Sequence, residues 1–213
     1  MSRYIGPSCR MCRREGVQLL LKGERCIGAK CAISKERPIP GSKRGKQHHS
    51  KMFGYNEQMR AKQQIRRYYG INDAQFKCNF KKASKKSGIT SIDFKSQLEL
   101  RLDNVVYLIG FATSRIAARQ IVTHGHVIVN GRRVNYPSFI LKKDDTLGIK
   151  ESDRSKKLIR KNVEIAINNI KLSTPEWIFF DKEKLISKIE RLPNEDELRM
   201  SDKEQLVVEL YSK

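Results

Sequence analysis

Long apolar runs are missing from this chain. "VVYLI" at 105–109 is among its longest strictly apolar stretches, far below the ~18 residues a membrane-spanning helix needs. Carboxylates are scarce where the chain begins: residues 1–98 hold 6 Asp and Glu against 23 Lys and Arg. That is a thin supply for acid–base chemistry, and no glycine-rich loop that could cradle a nucleotide phosphate and no synthetase-like motif stands beside it. The expectation is a chain that is no enzyme and has no small-molecule substrate. The first residues, "MSRYIGPSCR", contain no apolar centre of a secretory signal. A reducing, cytoplasmic setting is therefore expected, one in which disulfides do not persist. Apolar residues make up only 38% of the chain and charged residues 31%, so the cores must be small and much of the surface must serve a partner.

What is abundant is positive charge. The formal net charge is +21, distributed as +17 over residues 1–98, +6 over 99–165 and −2 over 166–213. Such self-repulsion calls for a polyanion. Anionic membrane is one such surface, but no amphipathic anchor or lipidation motif is present, which leaves nucleic acid.

Cysteine is concentrated rather than common. Cys9, Cys12, Cys26 and Cys31 fall inside "CRMCRREGVQLLLKGERCIGAKC", and only Cys78 lies elsewhere. Two close pairs separated by a loop suit tetrahedral coordination, since each knuckle offers two thiolates and the loop folds the pairs together. One structural zinc is the expected cofactor. An iron–sulfur cluster also takes four cysteines, though its usual spacings differ, and four separate buried thiols are the plain alternative. Cys78, between Phe76 and Phe80, is expected to be a small buried apolar residue. Residues 1–45 have little else to fold around, so a metal-clipped arm followed by the basic loop "SKERPIPGSKRGKQHHSK" is expected to lie along RNA.

Beyond the arm, "MFGYNEQMRAKQQIRRYY" at 52–69 reads as a helix stopped by Gly70. A second helix begins at an Asn72 cap and is expected to run to Gly88, with Lys81, Lys82, Lys85 and Lys86 in its last turns answering the helix dipole. A third is expected from Ser91 to about Leu102. An apolar helix then ends at Gly110. Ser114 caps another through Thr123, with Ile116, Ala117, Ile121 and Val122 expected buried and Arg115 and Arg119 on one exposed side. After Gly125, alternating valines lead into Asn130-Gly131, a type I′ hairpin signal, and Arg132 and Arg133 open the return strand. "KKDDTLGIK" at 142–150 reads as a turn and one more strand.

The pattern from Ser114 to Val134, "SRIAARQIVTHGHVIVNGRRV", resembles the small RNA-binding domain first described in protein S-four of the small ribosomal subunit. "RYIGPSCRMCRREG", "QQIRRYYGINDAQF", "LRLDNVVY" and "EQLVVELYSK" extend the resemblance to the ribosomal family itself over nearly the whole chain. The resemblance implies an α+β fold: a mainly helical first domain with a zinc-clipped arm, and an inserted α/β RNA-binding domain carrying a β-hairpin. The boundaries expected are 1–45 for the arm, 46–98 completed by 166–213 for the helical domain, and 99–165 for the insertion. It further implies a primary binder of small-subunit ribosomal RNA that nucleates the 5′ domain. Roles in translational accuracy, a neighbouring protein S-five, a position beside the path by which mRNA enters, and repression of its own operon in some bacteria are also implied. Candidate RNA contacts are Arg10, Arg13, Arg14, Lys43, Arg44, Lys46, Arg60, Arg66 and Arg67, with Arg115, Arg119, Arg132 and Arg133 in the insertion. An RNA-modifying enzyme carrying the same small domain is the alternative. A zinc-finger regulator of DNA finds no dimer seam to support it.

Overall fold

The computed structural model describes residues 4–41, 54–170, 172–198 and 203–212. It divides into two compact units, residues 1–93 with 200–213 and residues 94–199. The mixture of a helical unit with one built on an antiparallel sheet makes the fold α+β. No helix among the described residues is long and apolar enough to cross a membrane.

In the first unit, α1 (Ser8–Glu15) ends at Gly16, whose φ of 68° closes the helix in the left-handed conformation. A single turn, α2 (Glu24–Ile27), follows. Helix α3 (Tyr55–Tyr68) buries Ala61, Ile65 and Tyr68, spaced four and three apart on one face. Helix α4 (Asp73–Ala83) is capped by Asn72, whose side chain accepts from the Gln75 N–H at 2.7 Å. It stops at Ala83, short of Gly88, because only Phe76, Phe80 and Ala83 give it an apolar face. Cys78 is exposed, contrary to expectation: two residues from each phenylalanine, it lies on the opposite side of the helix.

The last helix, α9 (Glu204–Ser212), packs on α3. Lys203 donates to Gln64 Oε1 at 2.6 Å and Gln58 donates to Glu209 Oε2 at 3.0 Å. Tyr211 stacks on Phe80 with ring centroids 4.7 Å apart.

The second unit opens within α5 (Thr90–Glu99). The expected continuous helix to Leu102 is interrupted, because Arg101 is extended (ψ 137°) and bridges to Ile140. The Leu141 N–H donates to Leu100 O and the Leu102 N–H to Phe139 O. Two helices follow, α6 (Leu102–Leu108) and α7 (Arg115–Thr123). The sheet has the order β2-β1-β3-β5-β4, all neighbours antiparallel. Its strands are β1 (Val127–Val129), β2 (Arg132–Arg133), β3 (Thr146–Ile149), β4 (Ile178–Asp181) and β5 (Ile186–Ile189). Helix α8 (Asp153–Asn168) lies between β3 and β4 in sequence. Val127, Val129, Leu147 and Ile189 line the buried face with Trp177, Ile159 and Val163. Ile128, Phe179, Ile186 and Lys188 alternate with buried neighbours onto the other face, and the last three are exposed.

This pairing corrects the expected boundaries. Residues 166–198 do not complete the helical domain: β4 and β5 extend the sheet of the insertion, and the described part of the tail that returns to the first unit is α9.

Candidate RNA interface

The hairpin forms as its two central residues require. Asn130 and Gly131 have φ of 49° and 76°, the positive pair of a type I′ turn. Asn130 also pins the turn to β3, because its Oδ1 accepts from the Thr146 N–H at 2.8 Å and its amide donates to Asp145 Oδ1 at 2.8 Å. The turn thus presents Arg132 and Arg133, both exposed, from a braced backbone. Arg133 curls back and donates to His124 O at 3.1 Å, and its guanidinium fills the space a side chain on Gly125 would need. Nearby, His126 Nδ1 is 2.9 Å from Ser155 Oγ of α8. Burial pushes the His126 imidazole below its ordinary range, and the neighbouring His124, Lys150 and Arg133 side chains push the same way. Lys150 and Arg133 make this corner of the unit basic.

Helix α7 is capped by the Ser114 side chain, as expected. Its arginines, however, turn inward. Arg115 is only 5% exposed; its Nε donates to Asn104 Oδ1 at 2.8 Å and its guanidinium lies 4.5 Å from the Tyr107 ring centre. Asn104 in turn donates to Glu99 Oε2 at 2.6 Å. Arg101 grips Asp103 with two bonds of 3.0 and 2.7 Å, and Arg119 Nη1 stands 3.7 Å from the same carboxylate. Arg115 therefore helps build a buried polar network, and Arg119 is half-buried beside it. Ile116, expected in the core, is exposed, because the buried line of α7 runs through Arg115, Ala118 and Val122 at spacings of three and four.

In the first unit Arg10 and Arg14 are exposed on α1. Arg13 donates to Pro38 O at 2.9 Å, tying α1 to the segment after the last clustered cysteine. Arg60 and Arg67 converge on Glu15, Arg60 at 3.3 Å and Arg67 in closer contact, and Arg66 bonds to Gln63 Oε1 at 3.0 and 2.7 Å. Burial pushes the Glu15 carboxyl up, against the pull of Arg67 and Arg60. Glu15 is a central strut that the charge pattern did not single out. Lys43, Arg44 and Lys46 lie outside the described residues.

Of the clustered cysteines, Cys12, Cys26 and Cys31 are buried and Cys9 is half-buried, all as thiols. The Lys22 N–H donates to Cys26 Sγ at 3.2 Å and the Gln18 amide to Cys31 Sγ at 3.5 Å. Burial raises the Cys12 and Cys26 thiols, and the electrostatics of the other clustered cysteines push the same way. Burial acts the same way on Cys31, but N–H donors from Ser34 and Ile33 together with the Ser34 and Gln18 side chains outweigh it and lower that thiol. Cys26 and Cys31 accept N–H bonds at sulfur, and four thiols are the soft donor set that zinc takes when they are drawn together. Among the described residues, no three His, Cys, Asp or Glu side chains are gathered closely enough to hold an ion.

Reading the sequence for motifs passed over α8, whose exposed side carries Arg154, Lys156, Lys157, Arg160 and Lys161. Their spacing of three and four residues was the available signal.

A family profile described as the ribosomal protein S4/S9 N-terminal domain matches residues 3–99, and one described as the S4 domain matches residues 100–147. Small ribosomal subunit protein uS4 of Thermus thermophilus is 47% identical over 213 residues, covering all of both chains. The corresponding uS4A of Symbiobacterium thermophilum is 46% identical and uS4 of a Thermoanaerobacter species 41%, again over the full length of both. With the two profiles met in order and full-length relatives at this identity, the chain belongs to the ribosomal protein uS4 family, a structural and not an enzymatic family.

Proposed function

We propose that this chain is a structural constituent of the cytoplasmic small ribosomal subunit and a primary binder of its ribosomal RNA, seated on a helix junction near the 5′ end. The observation that carries this reading is the braced type I′ hairpin presenting Arg132 and Arg133 near the further basic side chain of Lys150. Folded RNA hides its base edges in a deep groove, so a protein gains most from phosphate and 2′-hydroxyl contacts. Rigidly held arginines suit that task, since a guanidinium bonds two phosphate oxygens at once. Arg10 and Arg14, exposed on α1, extend the candidate surface in the first unit. Binding of this kind nucleates assembly by holding helices together rather than by reading sequence.

Further parts of the reading have narrower support. Exposed Phe179 and Ile186 share the open face of the β4–β5 hairpin, in the acidic part of the chain. A protein neighbour such as S-five fits that surface better than a phosphate does. A role in translational accuracy, a place beside the path by which mRNA enters, and repression of its own operon rest on the resemblance alone. The four cysteines are assigned to one structural zinc, supported by their paired spacing in the sequence and by the N–H donors to the Cys26 and Cys31 sulfurs; binding would draw the four sulfurs together.

Hydroxyl-radical footprinting of the full chain on naked small-subunit ribosomal RNA tests the main reading. Protection confined to a junction in the 5′ domain is expected. Uniform weak protection along the RNA would reduce the chain to a non-specific polycation and overturn it.

A further inference from the structure

The outer side of α8 is unlike the other basic surfaces of the molecule. Ser155, Ile159, Val163 and Ala166 bury one face of the helix against the second unit. At 100° per residue, Arg154, Lys157 and Lys161 form a row directly opposite, with Lys156 and Arg160 as a second row beside it. All five are exposed, and none forms an ion pair or other recorded interaction among the described residues.

Two ordinary explanations for helical cations fail here. Compensation of the helix dipole places cations in the last turn, as with Lys81 and Lys82 on α4. On α8 the last turn has none, and the cations lie in its first three turns, with Arg154 and Lys156 in the first turn, where the dipole is already positive. Pairing within the helix fails as well: Asp153 and Glu164 stand at suitable spacings but form no ion pair. Lys156 with Arg160 and Lys157 with Lys161 are like charges four apart, an arrangement that destabilises a helix. A surface that works against its own helix in both respects is relieved when an anion lies along it.

Resting on the ribosomal RNA reading above, we propose that the α8 row is a second RNA-contact surface of this unit, taking the phosphodiester backbone of the ribosomal RNA. The three cations of the central row span about 10 Å along the helix axis at 1.5 Å per residue, close enough to act on neighbouring phosphates of one strand. Contact is through charge alone, because the row offers no aromatic platform on which bases could stack.

The test compares three full-length chains for affinity to 5′-domain ribosomal RNA over a salt series: the parent, K157Q with K161Q on α8, and K182Q with K184Q in the β4–β5 turn. The two variants lose equal charge, and thermal melts establish that both fold. Each lost phosphate contact should lower the salt slope by about 0.7 to 0.9, so the α8 variant's fall in affinity between 50 and 200 mM salt should be about tenfold smaller than the parent's. The turn variant should follow the parent. Equal effects from both variants would show that only total charge matters, and an α8 variant that binds as the parent does would assign the row to another partner, such as an acidic protein. Either result overturns the proposal while leaving the main reading intact. Failure of the parent itself to bind this RNA would overturn both.

Discussion

Arg132 and Arg133 are adjacent, equally charged and both exposed, yet their surroundings give them different work. Arg132 has no partner among the described residues, whereas Arg133 is bonded to His124 O and fills the space above Gly125. Arg132→Ala should leave the melting temperature unchanged and weaken RNA binding. Arg133→Ala should do the same to binding and also cost up to about 1 kcal/mol of stability, the worth of one hydrogen bond. Gly131→Val is the contrasting change: space around Gly131 is open, but its φ of 76° strains a β-branched residue. It should destabilise the hairpin by at least about 1–2 kcal/mol and displace both arginines together. Melts and RNA affinities of the three variants check this. An Arg132 variant that unfolds early but binds normally once folded would remove that residue from the RNA face.

At the scale of elements, the arm around the four cysteines has few apolar residues with which to hold itself: Leu19, Leu21 and Ala32 are the buried ones beside the sulfurs. Its fastening to the rest of the first unit runs through Glu15, gripped by Arg60 and Arg67 of α3. A metal ion would supply the missing cohesion, since binding energy at such a site is folding energy. Elemental analysis of protein purified without chelator should therefore find one zinc per chain. Replacing Cys26 and Cys31 together by serine should abolish it and loosen residues 9–31 in hydrogen exchange, while the second unit keeps its protection. Metal content near zero in the parent would sink the assignment.

The whole molecule is organised by a chain that leaves one unit, builds another and returns. Helix α9 is separated from α3 by more than a hundred residues of sequence, yet Val207 is fully buried and Tyr211 stacks on Phe80. Val207→Ala with Tyr211→Ala should cost the first unit about 3–5 kcal/mol through lost packing. The second unit, with its own core around Trp177, Phe111 and Val106, should keep its exchange protection. A uniform loss across both units would show instead that they unfold as one body.

Much of this arrangement was legible in the residues alone, wherever the deciding interaction is local. The Asn72 and Ser114 caps, the Asn130-Gly131 turn and the alternation of Val127 and Val129 are short-range effects of backbone geometry and side-chain period, and each stands where the pattern put it. Charge also announced the polyanion, because a net charge is a sum that folding does not alter. Burial could not be read the same way. Arg115 and Arg119 have the spacing of an exposed basic pair, but Asn104, Glu99 and Asp103 on neighbouring elements offer them partners, and only packing brings those groups together. Cys78 looked apolar by its neighbours and lies on the solvent side of its helix. The tail from 166 to 198 was assigned to the wrong unit because strand pairing between β3 and β5 joins residues some forty positions apart, and nothing in either segment names the other. The sequence by itself determined the local elements and the sign of the charge; tertiary packing alone decided which cations stay at the surface and which are consumed in holding the fold together, because a guanidinium is recruited by whichever carboxylate or amide the completed fold sets beside it.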